Sequence, residues 1–274
     1  MQKKFEIKYE KYSLSNGLEV ILHEDHANPV VAVAIQYHVG SNREKKGKTG
    51  FAHLFEHLMF QRSEHLKRNE FFSKISDLGG NFNGGTWDDG TIYYETVPND
   101  ALEKILWMES DRMGFFINTV TTAGIQREKD IVINEKRQSY DNQPYGHTDE
   151  VMRRALYPAD HPYSWTTIGE MDDIRSATTQ DVKEFYHKWY QPNNATLAIS
   201  GDFNADETKK LVEKYFGEIK FHSVNEKNKV MIPTLDKEIK LVYEDKYANL
   251  PELTVSFPAP EQYSMESYAL DFMC

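Results

Sequence analysis

Cysteine is nearly absent from this chain: Cys274 is the one such residue among 274. No intrachain disulfide can form, so the fold must rest on a packed core. The count says little about compartment, because many exported proteins also lack disulfides. Long apolar runs are missing as well. No stretch reaches the roughly 18–20 apolar residues of a membrane span. The opening MQKKFEIKYEKY has no apolar heart of a signal peptide. An exported parent whose leader had been removed would read the same, which leaves both the cytoplasm and the periplasm or exterior open to a soluble chain. Positive charge is in deficit, with 32 Lys and Arg against 43 Asp and Glu and a net charge of −11. That balance argues against a nucleic-acid surface. Gly79-Gly80 has no phosphate-loop context. What remains, at 39% hydrophobic and 27% charged residues, is a globular protein of one large domain or two small ones.

Against these absences, His53-Leu54-Phe55-Glu56-His57 stands out. The spacing H-x-x-E-H is the inverse of the zincin order H-E-x-x-H. At about 100° per residue, a helix sets His57 roughly 40° to one side of His53 and Glu56 roughly 60° to the other. All three side chains share one arc. Two neutral imidazoles there can bind Zn²⁺, and the carboxylate between them can take a proton from an attacking water. A third ligand is sought on a second helix. The run Ala123 to Asn142 has no proline and is rich in helix formers, with Thr121 or Thr122 available as its cap. Glu128 and Glu135 share one face of it, about 10.5 Å apart along the axis. That separation is too long for both to reach one ion, so one is a ligand and the other a supporting group.

The segment Gly50-Phe51-Ala52-His53-Leu54-Phe55-Glu56-His57-Leu58-Met59-Phe60 resembles the zinc helix of the pitrilysin-type (inverzincin) metallopeptidases, which include insulin-degrading enzyme and mitochondrial processing peptidase. The resemblance implies His53 and His57 as zinc ligands and Glu56 as general base. It implies Glu135 as third ligand, 77 residues intervening after His57, with Glu128 as an accessory group that orients the ligands. The stretch Leu78 to Tyr94 reads as two short strands around a glycine-rich acidic turn. It is similar to the family's active-site edge strand, to which a substrate peptide adds as a further strand. Asn83 matches the family's asparagine there, and both Asn83 and Gly84 are implied to contact substrate. Gly84 replaces the alanine common in the family, a change expected to loosen the strand or admit a bulkier substrate residue. Asp88 and Asp89 lack the regular spacing of a calcium loop.

The remaining pattern predicts α+β architecture, a mainly antiparallel sheet packed with helices. Strands are expected at Phe5–Leu14, Leu18–Glu24 and Val30–Val39 as a meander turning at Asn16-Gly17. Further helices are expected at Asn69–Leu78, Asp100–Ile117, Thr179–Tyr190 and Asp206–Phe216, with a buried strand at Ala195–Ser200. Residues 1–222 read as a zinc-binding catalytic domain and 223–237, containing the polar run Ser223–Lys229, as a linker. Glu238–Glu244 and Leu253–Phe257 read as strands and Ser264–Met273 as a helix. The resemblance makes 238–274 the truncated beginning of a second homologous domain. The expected function is a zinc endopeptidase for extended peptides, incomplete without that second domain or a partner subunit. The family also holds non-catalytic scaffold or partner subunits, the alternative reading. In those the H-x-x-E-H set is usually degraded, whereas here it is whole.

Overall fold

A computed structural model describes residues 6–222 and 233–273. Six strands form one mixed sheet: β1 (Glu10–Ser13), β2 (Glu19–Glu24), β3 (Val30–Tyr37), β4 (Asn81–Thr86), β5 (Thr91–Pro98) and β6 (Ala195–Gly201). Their spatial order is β1-β2-β6-β3-β5-β4. Period-two patterning decides which face is covered. Val31, Val33, Ile35 and Tyr37 of β3 are buried, as are Val20 and Leu22 of β2 and Leu197 and Ile199 of β6. The alternate residues Val30 and Tyr94 are exposed. Helices therefore cover one face of the sheet.

The expected meander is only half present. β1 and β2 do pair antiparallel, but β2 and β3 are parted by β6. That late strand runs parallel to β2 and antiparallel to β3. Its sequence reads as a buried strand, and a strand whose backbone is buried needs a neighbour at each edge to pair its amides and carbonyls. Slot and strand lie more than 150 residues apart in the chain, so no local pattern announces the pairing.

The metal-motif helix α1 (Phe51–Met59) lies against the sheet through Leu54, Phe55 and Leu58. It has no side-chain cap from its own N-terminal residue. Instead the buried Glu44 carboxylate accepts from the backbone amides of Gly50, at 2.9 Å, and Ala52, at 2.8 Å, and from the Trp165 indole. It thus meets orphan donors where the helix dipole favours negative charge. Burial pushes the Glu44 carboxyl up to about 8 against the opposing pull of those N–H bonds. α2 (Glu70–Asp77) and α3 (Leu102–Phe115) follow. α4 (Thr122–Lys136) is capped by Thr121, whose hydroxyl accepts from Gly124 N at 3.1 Å. It ends in a π-helical turn, Arg137–Asp141. α5 (Thr148–Leu156) and α6 (Met171–Ser176) are two helices the sequence reading does not anticipate. α7 (Thr179–Trp189) starts on a Thr178–Asp181 capping box, and α8 (Ala205–Phe216) closes the layer.

The stretches Glu238–Glu244 and Leu253–Phe257 do not form strands; both are irregular and largely exposed, with Val242 at 95% and Leu253 at 90%. Their alternation is real, yet a strand needs a neighbour to satisfy its backbone, and no described strand lies beside either. The polar run Ser223–Lys229 falls outside the described residues. α9 (Met265–Asp271), capped by Ser264, agrees with the expected final helix.

Candidate metal centre

Four residues apart on α1, His53 and His57 turn their Nε2 atoms toward each other at 3.3 Å, with ring planes 86° apart. α4 packs beside α1 and brings up Glu135 from its last turn. Glu135 Oε1 lies 3.7 Å from His53 Nε2, and Oε2 lies 3.3 Å from His57 Nε2. A tetrahedral zinc with bonds of about 2.0–2.2 Å separates its ligand atoms by roughly 3.3–3.6 Å. One donor atom from each of the three residues lies within 4.8 Å of the others, close to the span such an ion needs. Among the described residues this is the single group of three or more His, Cys, Asp or Glu donors within 4.8 Å of one another.

Glu128 is not in that group. It is 1% exposed, and neither carboxylate oxygen has a hydrogen-bond partner. It makes no bond to either histidine, although the charges of His57, Arg68 and Arg127 lie near enough to offset part of its burial. Burial dominates and raises its pKa.

The electrostatics of the cluster set the two histidines apart. Burial, then the neighbouring His57 charge, lowers the His53 pKa to about 4, so its imidazole is neutral at pH 7. Burial opposes protonation of His57 too, but the hydrogen bond and charge of Glu135, with Glu56 and Glu128, outweigh it and raise the value. The same His57 bond holds Glu135 below its usual range. Glu56, between the two histidines in sequence, is raised by burial and partly restored by a bond from Thr86. That bond is 2.6 Å, from Thr86 Oγ1 to Glu56 Oε2.

β4 lies at the edge of the sheet, paired with β5 through Asn83↔Tyr94 and Gly84↔Tyr93. Asn83 accepts the Gly84 amide on its own Oδ1 at 2.9 Å. Phe82, Gly84 and Thr86 share the α1 side of the strand. A Cβ on Gly84 would stand 2.8 Å from Cε2 of Phe60, so the ring at the end of α1 fills the room an alanine methyl would take. The space freed by glycine goes to this chain's own core.

Several residues that shape the site carry no sequence signal. The β4–β5 turn is anchored by Arg153 of α5, which donates to both Asp88 oxygens at 2.7 and 3.0 Å. Asn42 donates to Asp89 at 2.6 Å, and the Asn42 amide reaches Asp88 O at 2.8 Å. At Gly40 the backbone comes so close that a Cβ would lie 2.0 Å from Trp87 O. One loop, 40–44, therefore fastens both the turn of the edge strand and the start of α1. Thr86 reaches Glu56 across 30 positions, Arg153 reaches Asp88 across 65 and Trp165 reaches Glu44 across 121, which no spacing rule captures.

Similarity to known proteins agrees with this geometry. Residues 19–162, more than half of the chain, match the model for Insulinase (Peptidase family M16). Residues 176–274 match the model described as Peptidase M16 inactive domain. The chain is 35% identical to the zinc protease PqqE of Helicobacter pylori over 78% of its own length and 48% of that protein. It is 26% identical to the mitochondrial-processing peptidase subunit beta of Saccharomyces cerevisiae, over 75% of this chain and 44% of that one. A crystal structure of a protease from Helicobacter pylori superposes with a TM-score of 0.77 at 34% identity, covering 84% of this chain and 54% of the other. The chain thus spans about half the length of these relatives. On the strength of the family match, the chain belongs to the pitrilysin-type zinc peptidases, the insulinase family M16.

Proposed function

We propose that this chain supplies the metal-binding half of a zinc endopeptidase acting on extended peptides. The observation that carries the reading is the His53–His57–Glu135 donor triangle with Glu56 on the same helix turn. His53, His57 and Glu135 would hold the ion, and Glu128 would support them through its charge. When bound, zinc acts as a Lewis acid that polarises a scissile carbonyl and acidifies an attacking water. Glu56 then takes a proton from that water as its oxygen bonds to the carbonyl carbon. The same carboxyl returns the proton to the amine as the C–N bond breaks. The open edge of β4 at Asn83 and Gly84 would take the peptide as an added strand, so backbone bonds select extended shape over side-chain identity.

Domain organisation follows the same reading: a zinc-binding domain over 1–222, a linker over 223–237, and the beginning of a second homologous domain over 238–274. Exposed apolar side chains in the last part, Val242, Leu253 and Phe272 at 90–95%, support it, because such groups belong under a further layer of structure. That second domain, or a partner subunit, would complete the substrate chamber. The relatives' names as zinc proteases support the same conclusion. An intact metal triangle and base weigh against a scaffold role.

Metal analysis tests the ligand set. Purified protein should hold one zinc per chain, removable by a chelator, and Glu135→Gln or His57→Ala should each cost at least tenfold in zinc affinity. Glu128→Gln should keep stoichiometric zinc. Loss of zinc from Glu128→Gln with retention in Glu135→Gln would reverse the assignment.

A further inference from the structure

We propose that Thr86 is the positioning residue for the general base: its hydroxyl fixes one oxygen of Glu56 and turns the other to the reacting water. The inference rests on the peptidase reading above and adds a residue to it. Thr86 Oγ1 is 2.6 Å from Glu56 Oε2. Its other hydroxyl neighbour, Thr91 Oγ1, is 3.4 Å away and donates its own hydrogen to Val39 O at 2.8 Å. A hydroxyl carries one hydrogen. With the Thr91 proton committed to a backbone carbonyl, the Thr86 proton goes to the shorter, charge-assisted bond with Glu56. Oε2 is thereby held as an acceptor, and Oε1 is left to accept and return a proton.

The position of Thr86 gives this contact its consequence. Thr86 ends the edge strand β4 and pairs with Thr91 of β5. Glu56 lies on α1, between the two histidines in sequence. The bond therefore ties the strand a peptide would join to the helix that carries the base. A glutamate carboxylate turns about three side-chain bonds and samples several rotamers unless something holds it. Among the described residues, Thr86 is the donor recorded on Glu56 Oε2. Threonine suits the task because its branched Cβ restricts χ1.

The test uses the full-length protein that contains this chain, with Thr86→Val, which keeps the shape and removes the hydroxyl, and Thr86→Ser, which keeps the hydroxyl. On a quenched peptide, Thr86→Val should lower kcat about 10- to 100-fold, the scale expected for a misplaced catalytic group. KM should stay within about twofold, zinc per chain should be unchanged, and Thr86→Ser should recover most of the loss. A second readout does not depend on turnover: crystal structures should show one Glu56 carboxylate rotamer in wild type and Thr86→Ser, and several in Thr86→Val. Unchanged kcat in Thr86→Val, a rise in KM alone, no rescue by serine, or a single unchanged Glu56 rotamer in Thr86→Val each overturn the proposal. A wild-type protein that binds zinc and cleaves no peptide would defeat the peptidase reading instead, and the rotamers would still decide the role of Thr86.

Discussion

At the scale of single residues, the site depends on which groups are charged before metal arrives. His53 is held neutral by its surroundings, whereas His57 is raised by Glu135 and stays protonated to higher pH than an ordinary imidazole. Zinc requires the neutral ring, so binding must displace that proton. The sign follows. Above the raised His57 pKa, zinc affinity should be nearly constant. As pH falls through it, affinity should drop about tenfold per unit, because one proton competes for one site. A competition titration between pH 5.5 and 8.5 checks this, and a flat profile across that range would contradict it. The histidines and Glu56 were legible because one helical turn brings them together. Glu135 needed a family resemblance, since spacing alone left it level with Glu128. Thr86 was illegible for a plainer reason: a single hydroxyl on a strand has no periodic partner.

Elements hold these residues in register, and their less visible anchors lie behind the site. Arg112 of α3 is 1% exposed and sits against Glu95 of β5 and Glu109, both fully buried. Its guanidinium also faces Tyr93, at 4.2 Å, Phe71 and Phe60, the last packed under Gly84. Two carboxyls share one cation, and burial with the neighbouring Glu109 charge pushes the Glu95 pKa well up. Glu95 is therefore expected to take up a proton more readily than an ordinary carboxyl. Removing Arg112 strands a buried charge and opens a cavity, so Arg112→Ala should cost about 3–5 kcal/mol. Glu95→Gln, which mimics the uncharged form, should cost less than about 1.5 kcal/mol. Urea unfolding of both variants decides it; equal losses would mean the carboxylate is ionised. Patterning revealed most helices and strands, including α1 to α4, because their buried faces recur at 3.6 or 2.0 residues. It missed α5, none of whose residues is fully buried, and α6, a helix of six residues with Ile174 alone buried. It also could not place β6 between β2 and β3, a pairing that local sequence does not encode.

The described fold is a sheet with helices on one face, with His53, His57 and Glu135 converging where α1 and α4 meet and Glu56 bonded to Thr86 at the end of β4. Composition argues against a nucleic-acid surface but could not have pointed to a peptidase; five residues and one distant glutamate carry that reading. The rest of a second domain proposed to begin at 238, or a partner subunit, would cover the apolar groups exposed there and complete the chamber. The account stands or falls on Glu56 as proton carrier within a site that holds zinc without it. Steady-state cleavage of a quenched peptide by the full-length zinc-loaded protein tests that claim most directly, with Glu56→Gln as the variant. The account predicts one zinc per chain in both proteins and a loss of kcat of about 10²- to 10⁴-fold in the variant. Undiminished cleavage by zinc-replete Glu56→Gln would contradict it.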